Sequence, residues 1–106
     1  MNWYVYLLLC DQKTYYTGIT NDLVNRFNQH IDGESFHPSK FSDLKFAYAE
    51  EYFDKYLAAD REKQLKGWGH AKKQKLIESK IDPHRCTEIV EVLLKKDEKL
   101  VSLLRA

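Results

Sequence analysis

The 106-residue sequence contains only 4 glycines, 2 prolines and 2 cysteines, and its formal net charge is +1 at pH 7. Cys10 and Cys86 form no C-x-x-C or zinc-binding pattern, which excludes a disulfide scaffold and favours free thiols in the reducing cytoplasm. No apolar run approaches the roughly 18 residues of a membrane-spanning helix, so no membrane partner is expected. The near-zero net charge gives no global sign of a polyanionic partner.

Hydrophobic residues make up 43% of the chain and aromatic residues 13%, which excludes a disordered tail. A chain of this size buries roughly two-thirds of its unfolded surface on folding. That burial is enough for one hydrophobic core without disulfides or a structural metal. We therefore expect one compact domain.

Three segments have the pattern of β-strands. Trp3–Cys10 is apolar on both alternating faces, which is typical of a central strand. The polar residues 11–13 join it to a second predicted strand, Thr14–Thr20, so the pair is expected to form a hairpin. Residues 44–50 alternate and form the third predicted strand, whereas residues 33–43 have no clear period and are expected to form a loop.

Helical patterns fill most of the remaining sequence. The first predicted helix is capped by Thr20 or Asn21 and ends at Gly33. The second runs from Asp54 to Lys66, and a short basic helix covers residues 70–79. The core-facing stripe of the first helix consists of Leu23, Phe27 and Ile31.

The C-terminal segment is expected to be one long helix that begins at Thr87. Four apolar residues lie roughly on one face of such a helix, which would then face the core. They are Ile89, Leu93, Leu100 and Leu104.

The predicted hairpin brings two tyrosines and a glycine together. With a three-residue loop, Tyr6 lies opposite Gly18 and diagonal to Tyr16, about 7 to 8 Å away. The missing side chain at Gly18 would leave room for a group to approach Tyr6. The alternative is ordinary aromatic packing with Gly18 at a β-bulge.

Arg26 and His30 follow at i and i+4, so they share one face of the first helix. Arg26 can bind a phosphate oxygen there, or it can be a surface residue that packs its aliphatic stem. His30 is an equally good candidate for a helix-end residue favoured by the dipole.

Glu62 occupies an unusual place on the second helix. The spacing Ala58, Glu62, Leu65 puts its carboxylate in the stripe that should face the core. Carboxylates are rarely buried without a partner. Glu62 is therefore expected either to form a salt bridge with Arg26 or Arg61, or to hold a divalent cation in a polar cleft.

Residues 60–80 carry a local excess of positive charge, with seven Lys or Arg against three acids. Such a run is commonly a solvated face, but with Trp68 and His70 it also offers phosphate contacts and stacking surfaces. The candidate nucleic-acid contacts are Arg61, Lys63, Lys66, Trp68, Lys72 and Lys73.

Residues 3–79 resemble the GIY-YIG nuclease domain, and most of all the small stand-alone proteins of that superfamily. The resemblance rests on residues in this order: Tyr4-Val5-Tyr6, Tyr16-Thr17-Gly18, Arg26-Phe27, His30 and the run from Ala59 to Trp68. Two departures are that the triplets read Tyr-Val-Tyr and Tyr-Thr-Gly, and that the asparagine which some members carry after the glutamate has no match.

The resemblance implies an α/β (α+β) fold with a three-stranded antiparallel sheet flanked by helices, here with an extra C-terminal helix. It also implies metal-dependent phosphodiester hydrolysis, with Glu62 holding one Mg²⁺ or Mn²⁺. The catalytic positions that match the family are Tyr6, Tyr16, Arg26, His30 and Glu62. Which of Tyr6, Tyr16 and His30 acts as the base stays open.

Residues 1–80 are thus expected to form the nuclease domain, and residues 81–106 a helical extension packed on it. The expected function is a cytoplasmic DNA endonuclease, structure-selective and related to repair or recombination. The alternatives are a nucleic-acid-binding module without turnover, and a protein-interaction domain that uses the C-terminal helix. A protein partner or a homodimer through that helix is also expected.

Overall fold

The computed structural model describes residues 2–33 and 42–104, and within them an α+β fold. The three strands are β1 (Trp3–Cys10), β2 (Thr14–Thr20) and β3 (Leu44–Tyr52). They form an antiparallel sheet in the order β2-β1-β3, which confirms the predicted central position of β1. Most of the loop predicted over residues 33–43 lies outside the described residues.

The β1–β2 hairpin has the predicted register. Tyr6 pairs with Gly18 and Leu8 pairs with Tyr16. Asp11 and Gln12 in the connecting turn have φ values of 50° and 59°, the left-handed conformation that reverses the chain within three residues. The sheet has its register shift between β1 and β3, at Leu7 and Leu8, so the pairing at Gly18 contains no bulge.

In the ranges that the structure describes, four α-helices and one short 3₁₀ helix accompany the sheet. The α-helices are α1 (Leu23–Ile31), α2 (Lys55–Lys66), α3 (His70–Glu78) and α4 (Thr87–Lys95), and the 3₁₀ helix covers Leu100–Leu103. Helices α1 and α4 pack against one face of the sheet, whereas α2 and α3 pack against the other. Alternating residues of β1 contribute to both cores, because its two faces are covered.

The helix starts differ in two cases from the prediction. Cys86, rather than the predicted Thr87, is the N-cap residue of α4, and it makes no side-chain capping hydrogen bond. The side chain of Asp22, rather than of Thr20 or Asn21, caps α1 by accepting a hydrogen bond from the Asn25 backbone N–H at 3.1 Å. The Thr20 hydroxyl instead accepts a hydrogen bond from the Asp22 N–H. The predicted cap of α2 is confirmed, since Asp54 accepts from the Tyr56 N–H at 2.7 Å.

The prediction of one long C-terminal helix was wrong. Helix α4 ends at Lys95, and the Asp97 carboxylate then accepts hydrogen bonds from the N–H groups of Lys99 and Leu100, which starts the 3₁₀ helix. The break rotates the chain, so only the second half of the predicted stripe meets the core: Leu100 is buried and Leu104 packs against it partly buried. Ile89 is 72% exposed and Leu93 40% exposed. The residues that face the core are Val90, Leu94, Leu100 and Leu103.

Both cysteines are free and buried, as predicted. Within the described part of the chain, no helix has the length and apolar character needed to cross a membrane.

Candidate active site

The ring of Tyr6 lies directly over Gly18. A Cβ atom added to Gly18 would lie 2.4 Å from both Cζ and the hydroxyl oxygen of Tyr6, which no side chain could tolerate. The expectation that Gly18 leaves room for another group was therefore wrong, because the phenol ring itself fills that space. The glycine is needed where it stands so that the Tyr6 hydroxyl can reach past β2.

Tyr6 contacts Tyr16 and two residues of helix α1. Its ring centroid lies 6.3 Å from that of Tyr16 and 5.2 Å from that of Phe27. Its hydroxyl oxygen lies 2.8 Å from Nε2 of His30, and His30 also packs edge-on against Tyr16. Tyr6, Phe27 and His30 are buried, whereas Tyr16 is partly exposed. The hairpin and α1 thus bring three of the five predicted catalytic side chains together.

His30 lies in the last turn of α1 and is buried inside this cluster. It therefore differs from an exposed helix-end histidine whose charge is stabilised by the helix dipole. Burial, together with the positive charge of Arg26, lowers its pKa to about 4, so the imidazole is neutral at pH 7. Its Nδ1 is buried and has no hydrogen-bond partner among the described residues, which leaves Tyr6 as the polar contact of the ring. A neutral Nε2 can accept the Tyr6 proton.

The pKa of Tyr6 is raised above that of a free phenol. Burial is the largest cause, and the charges of Tyr16 and Glu62 act in the same direction. Arg26 opposes them through a hydrogen bond and through its positive charge. Tyr6 is therefore a neutral phenol that can donate its proton to His30.

Arg26 reaches the exposed edge of β2. Its Nη1 donates a hydrogen bond to the backbone carbonyl of Ile19 at 3.1 Å, and the side chain is partly buried. Because Arg26 also influences the pKa of Tyr6, its guanidinium lies near the tyrosine hydroxyl. The β2 edge therefore holds a cation beside the aromatic cluster.

Glu62 forms neither of the salt bridges predicted from the sequence. Its carboxylate pairs with Lys66 one helical turn away, at 3.4 Å, and its side chain is 19% exposed. Its charge contributes to the raised pKa of Tyr6, so the carboxylate lies within electrostatic range of the tyrosine hydroxyl. Among the described residues, the mostly covered carboxylate has one ion-pair partner, the exposed Lys66.

A metal-binding role would rest on Glu62 alone. No group of three or more His, Cys, Asp or Glu side chains able to hold a metal ion occurs within residues 2–33 and 42–104. The carboxylate nevertheless suits Mg²⁺ or Mn²⁺, because such ions accept hard oxygen ligands and Mg²⁺ commonly keeps several waters with one or two protein carboxylates. The single carboxylate therefore fits a metal site in which water and the substrate supply the remaining ligands.

The sequence analysis missed a buried carboxylate, Glu50 on β3. It is fully buried and accepts hydrogen bonds from the hydroxyls of Tyr48 (2.6 Å) and Tyr52 (2.8 Å) and from Nε of Arg61 (2.9 Å). Burial raises the pKa of Glu50, but these hydrogen bonds together lower the pKa by more. The net shift is therefore downward. Arg61 thereby ties α2, the helix of Glu62, to β3. The alternation Tyr48-Glu50-Tyr52 was the available signal.

The six predicted nucleic-acid contacts separate into different environments. Arg61 is engaged by Glu50 and Asp82, and the ring of Trp68 lies under Lys72 at 4.4 Å and Arg61 at 5.2 Å. Lys63 and Lys66 are exposed, whereas Lys73 is 9% exposed. The Trp68 ring is thus already covered by cations, and the role of all six residues in binding stays a prediction.

Comparison with known proteins gives one family. A family model described as the GIY-YIG catalytic domain matches residues 2–75. A UPF0213 protein of Xanthomonas campestris pv. campestris is 38% identical over 72 residues, which cover 67% of this chain and 71% of that protein. A UPF0213 protein of Natronomonas pharaonis is 32% identical over 75 residues, covering 70% of this chain and 88% of that protein.

The fold has a counterpart among solved structures. The solution NMR structure of the UPF0213 protein BH0048 from Bacillus halodurans is similar with a TM-score of 0.51 and 28% sequence identity. The similarity covers 78% of this chain and 89% of that one. The predicted three-stranded antiparallel fold is therefore confirmed.

Proposed function

The chain belongs to the GIY-YIG family, and on that basis we propose that it is an endonuclease that hydrolyses phosphodiester bonds in DNA with one Mg²⁺ or Mn²⁺. The family match indicates a nuclease domain and a nucleic-acid substrate. The observation that carries the proposal is the 2.8 Å contact between the Tyr6 hydroxyl and His30, beside Arg26 and Glu62. Tyr6 and His30 are buried, and a merely structural core has no need for an arginine and a glutamate beside such a pair.

Phosphodiester hydrolysis needs a deprotonated water and neutralisation of charge on the phosphoryl group. Glu62 would hold the divalent ion, which when bound supplies positive charge to a phosphate oxygen. Arg26 neutralises a second phosphate oxygen, for which its guanidinium is already at the β2 edge.

The proton of the attacking water passes to the Tyr6 oxygen as the Tyr6 proton passes to Nε2 of His30. Tyr6 therefore ends as a neutral phenol and His30 as an imidazolium. This relay suits a tyrosine whose pKa is raised, because no resting phenolate is required. Tyr16, whose ring packs against both partners, orients the water.

The test is incubation of the purified chain with plasmid, branched DNA and RNA in Mg²⁺ or Mn²⁺, with Glu62→Gln as control. Cleavage of DNA by the unaltered chain, absent from Glu62→Gln and after chelation, supports the proposal. Preference for branched DNA would support a structure-selective role in repair or recombination. Cleavage that persists in Glu62→Gln would overturn the assignment of the metal ligand.

One observation favours a second function, a nucleic-acid-binding module without turnover. Glu62 belongs to no group of three or more metal-ligating side chains among the described residues, and Lys66 already pairs with it. Binding of DNA without cleavage under any of these conditions would select this alternative.

The domain division belongs to the proposal as well. We assign catalysis to residues 1–80, and residues 81–106 pack on them through Val90 and Leu94, which share a core cluster with Tyr6. The exposed apolar residues of α4, Ile89 and Val92, are where a protein partner or a second copy would bind. The two free thiols are consistent with the cytoplasm.

A further inference from the structure

Lys73, on helix α3, is a buried lysine without a partner. It is 9% exposed, and in the part of the chain that the structure describes its ammonium makes no hydrogen bond or ion pair. Burial lowers its pKa, since the charged form loses hydration. The buried part of the side chain is mainly its stem, and the ammonium nitrogen, unlike the hydroxyl oxygen of Thr17, retains some exposure, so the charge is open to a ligand.

Two cavities meet at this side chain, along the outer edge of β2. One has a volume of about 420 Å³ and is lined by Tyr15, Tyr16, Thr17, Lys66 and Lys73. The other, of about 240 Å³, is lined by Lys13, Thr14, Tyr15, His70 and Lys73. We refer to the two together as the β2-edge groove. Its lining residues include three lysines and no carboxylate, so it is suited to an anion.

A second polar group in the groove also has no partner. The hydroxyl oxygen of Thr17 is buried and makes no hydrogen bond to any described residue. A buried hydroxyl without a partner costs free energy, because its lost hydration is not replaced by another hydrogen bond. An anion bound beside Thr17 and Lys73 would satisfy the hydroxyl and the ammonium at once.

The groove adjoins the candidate active site. Tyr16 lines it and also packs against Tyr6, and Lys66 lines it while pairing with Glu62. At its other end, the rings of Tyr15 and His70 lie 4.7 Å apart and tilted by 32°, a surface on which a nucleobase can stack.

We propose that the β2-edge groove binds the nucleotide next to the cleaved bond. Lys73, Lys66 and Thr17 hold the phosphate that neighbours the scissile one, and Tyr15 with His70 contacts the adjoining base. This assignment rests on the proposed nuclease function, and it gives Lys73 a role different from that of the surface lysines on the same helix. Those lysines contribute only to the general positive field.

The test of binding uses the full chain without metal and a fluorescein-labelled oligonucleotide, followed by fluorescence anisotropy. Lys73→Met keeps the aliphatic stem and removes the charge, and the matched control is Lys75→Met, an exposed lysine of α3 that lines neither cavity. We expect Lys73→Met to weaken binding about 10-fold and to lower the salt slope by about 1, and Lys75→Met to weaken binding by less than about 2-fold.

Equal losses of affinity in the two variants would overturn the proposal that the groove binds a phosphate, because they would mean that only the overall charge affects binding. Lys73→Arg should restore most of the affinity. If Lys73→Met does not fold, Thr17→Val provides the second test, since it removes the unpartnered hydroxyl and keeps the side-chain shape. Unchanged binding in Thr17→Val would contradict the assigned phosphate contact.

A cleavage assay separates this inference from the proposed function. Bis(4-nitrophenyl) phosphate contains one phosphodiester and no neighbouring phosphate. Lys73→Met should lower kcat/KM about 10-fold more on an oligonucleotide than on the small diester. Equal losses on the two substrates would contradict the subsite. If the unaltered chain cleaves neither substrate, the proposed function fails, while the anisotropy experiment still decides whether the groove binds a phosphate.

Discussion

The hydroxyl oxygen of Tyr6 lies 2.8 Å from Nε2 of His30, and both side chains are almost completely buried. Tyr6 comes from the central strand and His30 from the last turn of α1, so the contact joins the sheet to the helix. Because burial raises the pKa of the phenol and lowers that of the imidazole, both groups are neutral at pH 7. The resting pair therefore carries no charge, and charge develops only when a proton moves from Tyr6 to His30.

Tyr6→Phe should lower cleavage by on the order of 10²-fold or more, because it removes the hydroxyl that contacts His30 but keeps the ring that packs against Phe27. The chain should still fold. Initial rates of plasmid cleavage and thermal melts measure the two effects.

The matched control for this substitution is Tyr48→Phe, which also removes a buried tyrosine hydroxyl. That hydroxyl donates to Glu50, outside the reaction site, so the variant should lose stability and retain kcat. Similar turnover in Tyr6→Phe and the unaltered chain would move the base to Tyr16 or His30.

Glu62→Gln should abolish cleavage and leave the metal-free melting temperature equal or higher. The pair it breaks joins Glu62 to an exposed lysine one helical turn away at 3.4 Å, and such i,i+4 pairs contribute little to stability. The substitution should also erase the rise in Tm that added Mg²⁺ or Mn²⁺ gives the unaltered chain, because binding to the native state alone stabilises it.

Glu50→Gln is the contrasting variant. It leaves Arg61 without its buried carboxylate partner, so the free energy of unfolding should fall by roughly 3 kcal/mol or more whether or not metal is present. A comparable metal-independent loss in Glu62→Gln would show that Glu62 is a structural residue.

The stability of the chain should fall as the pH drops from about 6.5 to about 4 because of His30. Its pKa is about 4 in the folded state, below the value of about 6.5 expected when unfolded, so the unfolded chain binds this proton first. His30 thus favours the native state fully above pH 6.5 and loses up to about 3 kcal/mol of that contribution toward pH 4.

Urea unfolding at pH 7 and at pH 4.5 measures this effect. His30→Gln should reduce the difference between the two conditions, whereas His84→Gln, which removes an exposed imidazole, should preserve it. Glu50, whose pKa is lowered, also contributes a loss of stability in acid. That loss begins below the usual pKa of a glutamate and remains in both variants. Equal pH dependence in His30→Gln and the unaltered chain would contradict the prediction.

Gly18→Ala should reduce cleavage by on the order of 10²-fold, because the added methyl group would meet the Tyr6 ring at 2.4 Å and displace its hydroxyl from His30. Gly69→Ala is the control, since a Cβ there has no atom within 4 Å. Cleavage assays on the two purified variants, with circular dichroism to verify folding, test the difference. Full activity in Gly18→Ala would mean that the position of the Tyr6 ring is not critical.

The part of the site that depends on residues close together in the sequence was predictable. A three-residue turn fixes the register of the hairpin, and that register places Tyr6 opposite Gly18 and near Tyr16. Helical periodicity likewise places Arg26 and His30 on one face of α1. The orientation of the Tyr6 ring over Gly18 was not predictable, because a register does not determine a side-chain rotamer.

The misses have two causes. Alternation places Glu50 and Glu51 on opposite faces of β3, but it does not show that Glu50 meets Arg61 of α2 or that Glu51 accepts from Tyr4 of the paired strand. The end of α4 depends on Asp97, whose side chain bonds to the backbone N–H groups that follow it. Apolar periodicity carries no information on either event.

The sheet order has a consequence for how the chain acquires activity as it folds. Tyr6 and Tyr16 lie on two strands joined by a three-residue turn, so their encounter needs only local loop closure, which is fast. Glu62 reaches the same edge only after β3 has paired with β1 and α2 has docked, which requires contacts across much of the sequence. A chain in which only the hairpin has formed therefore lacks Glu62 at this edge. With the proposed function, hydrolytic activity would arise only once β3 and α2 have joined the hairpin.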